Sequence, residues 1–116
     1  MAIKFYGYSK CNTCRKAKKV LEHAGVAFRD FDITETPPPR TVLKKAMKAR
    51  GMKKLFNVSG VQYKELNIKD KINTMTEAQA IDLLADNGRL IKRPITVDGD
   101  HITVGFDESE FTSTWS

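Results

Sequence analysis

Cys11 and Cys14 are the only cysteines in the 116-residue chain, and two residues separate them. The thiolate, not the thiol, attacks disulfides and oxyanions. A free cysteine, with a pKa of about 8.5, is mostly protonated at neutral pH. A disulfide closing so short a loop is a poor structural staple, because the restriction of the unfolded chain grows with loop length. In a reducing compartment such a pair is better suited to catalysis, redox sensing or metal binding. A helix starting at about Asn12 puts Cys11 just before its first turn, where unpaired N–H groups and the positive end of the helix dipole face the sulfur. Lys10 and Arg15 would add positive potential. The expectation is a lowered pKa and an exposed nucleophile at Cys11. Cys14 falls one turn in, on a stripe with Ala17 and Leu21, and is expected to be more buried and to resolve the mixed disulfide formed on Cys11. Asn12 and Thr13 are small polar residues that let a ligand approach.

Zinc is the competing chemistry. A structural site needs four ligands, and only His23 and His101 could join the cysteines. They lie far apart in the sequence and in no paired ligand motif, so no metal is expected. His23 reads as a surface residue at a helix end, where positive charge is favoured, and His101 as a hairpin-turn residue. Arg93-Pro94 is the second candidate site. A proline opening a third strand can adopt the cis form and face the cysteines, with its neighbouring backbone free for an extended substrate. Arg93 would offer a planar fork to a carboxylate or oxyanion. The alternative is an ordinary proline at the start of a strand beside a surface arginine.

The elements that must position these residues are legible in the apolar spacing. Ala2 to Tyr6 reads as a strand ending at Gly7, followed by a helix from Asn12 to Ala24 stopped by Gly25 and a strand from Val26 to Ile33. That is a βαβ unit whose crossover helix opens at the cysteines. Pro37-Pro38-Pro39 leads into a helix, proline being tolerated in a first turn, that runs to Arg50 and stops at Gly51. Residues 52–72 suggest one or two short helices separated at Asn57–Gly60. Thr76-Glu77-Ala78-Gln79 is a capping box opening a helix with Ile81, Leu84 and Ala85 on its buried side. Ile95/Val97 and Ile102/Val104/Phe106 alternate about Asp98-Gly99-Asp100 as a hairpin, and Asp107 caps a terminal helix. The expected architecture is α/β, a thioredoxin-like, glutaredoxin-type βαβ…ββα sheet in one domain over 1–116, with a helical insertion over about 39–88.

Hydrophobic residues make up 41% and charged residues 29% of the chain, which fits a globular protein rather than a disordered one. No apolar run approaches the ~20 residues of a membrane span, and the start shows no signal-peptide pattern, so the expected compartment is the cytoplasm. Twenty basic against fourteen acidic residues give +6, a balance that suits anionic partners. Lys44, Lys45 and Lys48 alternate with apolar residues as a solvated helix face does. No nucleic-acid motif or aromatic-basic stripe is present, and direct nucleic-acid binding is not expected.

Three segments, Ser9-Lys10-Cys11-Asn12-Thr13-Cys14-Arg15-Lys16-Ala17, Phe56 through Leu66, and Leu90-Ile91-Lys92-Arg93-Pro94-Ile95, resemble signatures of the arsenate reductase (ArsC)/Spx/MgsR group of the thioredoxin superfamily. The resemblance covers nearly the whole chain and implies the ArsC-like form of that fold. Arsenate reductases use a cysteine matching Cys11 and three arginines for the oxyanion. Only Arg93 matches here: the second would fall near Asn57 to Ser59, where no basic residue stands, and the third near Phe106. Those enzymes also typically lack a cysteine at the Cys14 position. An arsenate dianion would miss much of its charge pairing, and efficient arsenate reduction is not expected. Spx-type regulators keep the Cys-x-x-Cys switch and an Arg-Pro-Ile segment and bind the C-terminal domain of the RNA polymerase α subunit. This chain is shorter than those regulators and lacks an arginine they carry near Ser59-Gly60, while Gly51 lies near a glycine they use in polymerase contact.

Together these features imply a reductase-like dithiol–disulfide exchanger with no bound cofactor, with glutathione or a cellular disulfide as partner. The second expectation is a redox-sensing Spx-type regulator that docks on RNA polymerase. The third is a fold relic that binds a thiol metabolite without turnover.

Overall fold

The computed structural model describes residues 3–58 and 60–116. Its frame is a four-stranded sheet in the order β2-β1-β3-β4. β1 (Ile3–Gly7) pairs in parallel with β2 (Phe28–Asp32) and antiparallel with β3 (Ile95–Asp98), which forms a hairpin with β4 (His101–Val104). The expected first strand extends to Gly7, and Ala2 lies outside the described residues. The expected second strand is shorter at both ends. The turn begins at Gly99, whose φ of 60° is disfavoured for residues with a Cβ.

Alternation along the strands separates two cores. Ile3 and Phe5 of β1 face one side, where they meet Cys14, Ala17 and Leu21 of α1 (Asn12–His23) and Phe111 and Trp115 of α6 (Glu108–Trp115). Tyr6 of β1 and Ile95 and Val97 of β3 face the other. There they pack on Leu43, Ala46 and Met47 of α2 (Arg40–Arg50) and Ala80, Ile81 and Leu84 of α5 (Glu77–Asp86). Covering both faces buries Thr96 and Thr103, and the Trp115 indole N–H donates to Thr103 Oγ1 at 2.9 Å.

Local signals set the ends of the helices. Ala24 closes α1 and Gly25 follows with φ +68°. Pro39 precedes α2 as its cap rather than occupying the first turn, and its carbonyl accepts from Val42 and Leu43 N–H. Thr76 and Gln79 form both halves of the capping box on α5, and Asp107 caps α6 by accepting from Glu110 N at 3.0 Å. Between Gly51 and Thr76 the chain makes a 3-10 turn at Met52–Leu55, then two short helices, α3 (Val61–Glu65) and α4 (Ile68–Lys71). Among the described residues every element between β2 and β3 is thus helical, and the sheet, its order and its flanking helices make the expected thioredoxin-like α/β architecture. Among the described residues no helix is long and apolar enough to cross a membrane.

Gly88 opens a 3-10 turn (Gly88–Leu90) directly against the end of β2. A Cβ there would stand 1.9 Å from Ile33 O, a backbone atom that cannot swing aside. Gly88→Ala should therefore lower stability by about 2–3 kcal/mol, the scale of an overpacked interior, read as a drop in the urea midpoint. An unchanged midpoint would mean that the turn can withdraw from β2.

Candidate active site

The segment after β1 folds back so that Cys11 N–H donates to Tyr8 O at 3.0 Å. Cys11 then caps α1 in an extended conformation, its Sγ accepting from Cys14 N–H at 3.3 Å. This uses one of the donors that a helix start leaves unpaired. Cys11 is half-buried, while Cys14, one turn on, is 3% exposed among Phe5, Ala17, Leu21 and Phe111. Gly7 leaves room for the Phe5 ring beside Cys14, since a Cβ on it would meet Phe5 Cε1 at 2.7 Å.

The two thiols are driven apart electrostatically. Partial burial pushes Cys11 up, but hydrogen bonds from the Cys14 thiol and N–H, then the charge and hydrogen bond of Arg93, bring it below the ordinary thiol value. Burial pushes the Cys14 thiol up, with its hydrogen bond to Cys11 and the Cys11 charge adding to the effect, to about 12. A thiol shifted below its ordinary pKa therefore stands one helical turn from one pushed up to about 12, an arrangement able to attack a disulfide and then resolve it.

Cys11 opens into a cavity of about 520 Å³ whose walls include Thr13, Asn57, Val61, Lys92, Arg93 and Phe106. Arg93 comes here through strand register. Tyr6 pairs with Ile95, so continuing the antiparallel ladder sets Arg93 opposite Tyr8, and its guanidinium carbon lies 5.1 Å from the Tyr8 ring centre. The Arg93-Pro94 bond is cis, and Pro94 is buried with its carbonyl accepting from Gly105 N–H at 2.8 Å. That carbonyl is committed within the protein.

The other expected residues divide. Thr13 lines the cavity, while Asn12 and Lys10 are exposed and absent from its lining. Arg15 is directed elsewhere: its Nε donates to Ser9 O at 2.8 Å, and it lines a separate cavity of about 460 Å³ with Cys14, Lys18 and Asp30. The cation acting on Cys11 is thus Arg93, reached through the sheet, rather than the sequence neighbours Lys10 and Arg15. Sequence reasoning assigned no role to Tyr8, which adjoins the cysteine segment, nor to Lys92 and Val61, although both lie within the segments that carry the family resemblance; Phe106 stands where the resemblance placed a third arginine and lines the cavity. His23 ends α1 and His101 starts β4, both exposed. Among the described residues no three His, Cys, Asp or Glu side chains cluster as a metal site would require.

A model of the ArsC family matches residues 6–114. The chain belongs to the ArsC family. Within it, the uncharacterized protein YusI of Bacillus subtilis (strain 168) is 48% identical, with all of both chains covered. The regulatory protein MgsR of the same organism is 28% identical over 93% of this chain and 86% of its own. A crystal structure described as a possible arsenate reductase from Streptococcus mutans UA159 superposes with a TM-score of 0.84 at 37% identity, covering 90% of each chain. The chain is thus similar both to a structure described as a possible arsenate reductase and to a protein described as regulatory.

Alkylation of Cys11 should rise with pH and level off below the pH at which a free thiol does. Arg93→Ala should move that midpoint upward, because it removes a positive charge and a donor from the thiolate. Cys14 should stay unreactive throughout the neutral range. Iodoacetamide rates with peptide mapping test all three, and a Cys11 midpoint at or above the free-thiol value would refute the assigned electrostatics.

Proposed function

We propose that this ArsC-family chain is a dithiol–disulfide oxidoreductase in which Cys11 is the nucleophile and Cys14 the resolving thiol. The observation that carries the reading is the opposite displacement of the two thiols within one helical turn, lowered at the cavity and raised in the core. The Cys11 thiolate attacks one sulfur of a disulfide RSSR, forming a Cys11–S–S–R bond while RS⁻ leaves and takes a proton from solvent. This step removes the negative charge that raised the Cys14 pKa, so Cys14 ionises more readily. Its thiolate then attacks Cys11 Sγ, closing the Cys11–Cys14 disulfide and expelling the second RS⁻. Two electrons and two protons pass from the protein dithiol to the substrate. Two equivalents of a small thiol of the glutathione class restore the reduced pair.

Arg93 and Lys92 give the cavity positive charge while Val61 and Phe106 are apolar, which suits an organic anion better than a bare oxyanion. Arsenate pairs best with several planar forks, and among the described residues one arginine, Arg93, lines this cavity. Cys11→Ser should abolish covalent chemistry, whereas Cys14→Ser should accumulate a mixed disulfide on Cys11, detected by intact mass. Equal trapping by both variants would show that the nucleophile is assigned to the wrong residue. Arg93→Ala should raise KM for an anionic disulfide about tenfold, the weight of one hydrogen bond to a charged group, and an unchanged KM would remove Arg93 from substrate recognition.

The second reading is redox regulation, favoured by the likeness to MgsR over most of both chains. In that case the same dithiol switches a docking surface for the C-terminal domain of the RNA polymerase α subunit. Saturable binding of that domain that differs between reduced and oxidised protein is the expected outcome under this reading. No binding in either state would leave the oxidoreductase alone.

A further inference from the structure

Lys4 of β1 and Arg29 of β2 stand directly opposite each other in the parallel ladder, and paired residues share a face of the sheet. That face is the one on which α2 packs, because Lys4 also pairs with Val97, which belongs to the core beneath α2. The Arg29 guanidinium carbon lies 5.3 Å from the centre of the Phe31 ring, two residues on along the same face. Both cations are exposed, and among the described residues neither makes an ion pair. Like charges directly opposite on a sheet are destabilising. The first two strands therefore carry a repulsion that nothing in the described chain relieves.

The two cations line a cavity of about 490 Å³ between the sheet and the start of α2. Lys45 of α2 adds a third, fixed by donating to Gly99 O at 2.9 Å and lying 3.8 Å from the fully exposed Asp100 carboxylate. Among the described residues Asp98 is the one acid in the lining, and strand alternation turns its side chain to the opposite face from Val97. No residue is shared with the lining of the Cys11 cavity.

This arrangement narrows the ligand. An apolar group would leave the repulsion in place. A lone carboxylate would neutralise one of two cations whose strands run about 4.8 Å apart. A phosphoryl dianion brings two charges and several oxygens, so it can bridge an ammonium and a guanidinium fork. We propose that Lys4, Arg29 and Lys45 form a binding site for a phosphoryl dianion, as inorganic phosphate or as the phosphomonoester of a small metabolite.

The test is a phosphate titration followed by amide NMR, at constant ionic strength and a pH where phosphate is dianionic. The resonances of Lys4, Arg29 and Thr41 should shift saturably. Lys4→Gln and Arg29→Gln should each weaken binding about five- to tenfold, the weight of one charge-assisted contact at an exposed site. Lys4→Glu sets opposite charges across the ladder, so it should raise the urea midpoint without phosphate and abolish binding. Phosphate should raise the wild-type midpoint and leave that of Lys4→Glu unchanged. Glycerol 3-phosphate separates the sources: tighter binding than inorganic phosphate supports a phosphomonoester, and weaker binding supports free phosphate. Shifts that grow linearly with phosphate, that gather around Cys11 and Arg93 instead, or that persist in Lys4→Glu would overturn the site.

Discussion

The site depends on one turn of α1 lying across β1. Capping the helix turns the Cys11 sulfur to the Cys14 N–H, which together with the Cys14 thiol and Arg93 lowers its pKa, and the same turn carries Cys14 into the core, where burial raises its own. Two thiols three residues apart thus meet different dielectric surroundings without any loop having to move. Gly7 is part of this arrangement. With no side chain there to displace the Phe5 ring, Cys14 packs beside Phe5 within the core that Phe111 and Trp115 of α6 complete. Desolvation of Cys14 is therefore partly the work of the last helix, far from it in sequence.

Sheet register delivers the other half of the site. β3 runs antiparallel to β1 with Tyr6 against Ile95, so the residues before Ile95 continue past Tyr6 toward the segment that leads to Cys11. Arg93 thereby approaches the sulfur from across the sheet, resting on the Tyr8 ring on the way. A shift of the strand by one residue would turn Ile95 and Val97 out of their core and move Arg93 away together. Strand packing and charge placement at the site are one constraint.

Much of this was legible in the residues, and the failures have physical reasons. The capping box at Thr76, the Asp107 cap, the hairpin about Gly99 and the helix opening at the cysteines are local signals, each written within a few residues of chain. Charge near Cys11 was not local. Lys10 and Arg15 are its neighbours in sequence, and a regular helix would bring residues i and i+4 to one face. Cys11 is instead extended, with its sulfur turned to the Cys14 N–H, and Arg15 is tied back to Ser9. Residues 52–72 give no clean periodicity for another reason: Leu55, Phe56, Ile68 and Ile72 are core while Val61 and Leu66 are apolar yet exposed, so apolar spacing there mixes core and surface positions. Lys4 and Arg29 carry no motif, and only the pairing of β1 with β2 sets them side by side.

The charge of the chain gains meaning from where it falls. A net +6 spread over a surface would favour any anion weakly. At the cysteines the charge is focused, because Arg93 acts on the Cys11 sulfur itself and also lines the cavity beside it. A guanidinium cannot lose its proton near neutral pH, so this contribution to the thiolate persists across the range in which Cys11 titrates. A lysine at that position would supply charge without the planar fork that can face sulfur and ligand together. The same residue therefore acts on the nucleophile and lines the cavity into which the nucleophile opens. An anionic group bound to Arg93 would compete for the charge that stabilises the thiolate, which favours substrates whose own charge lies a few bonds from the reacting sulfur, as in an organic disulfide, over those that carry it on the atom under attack.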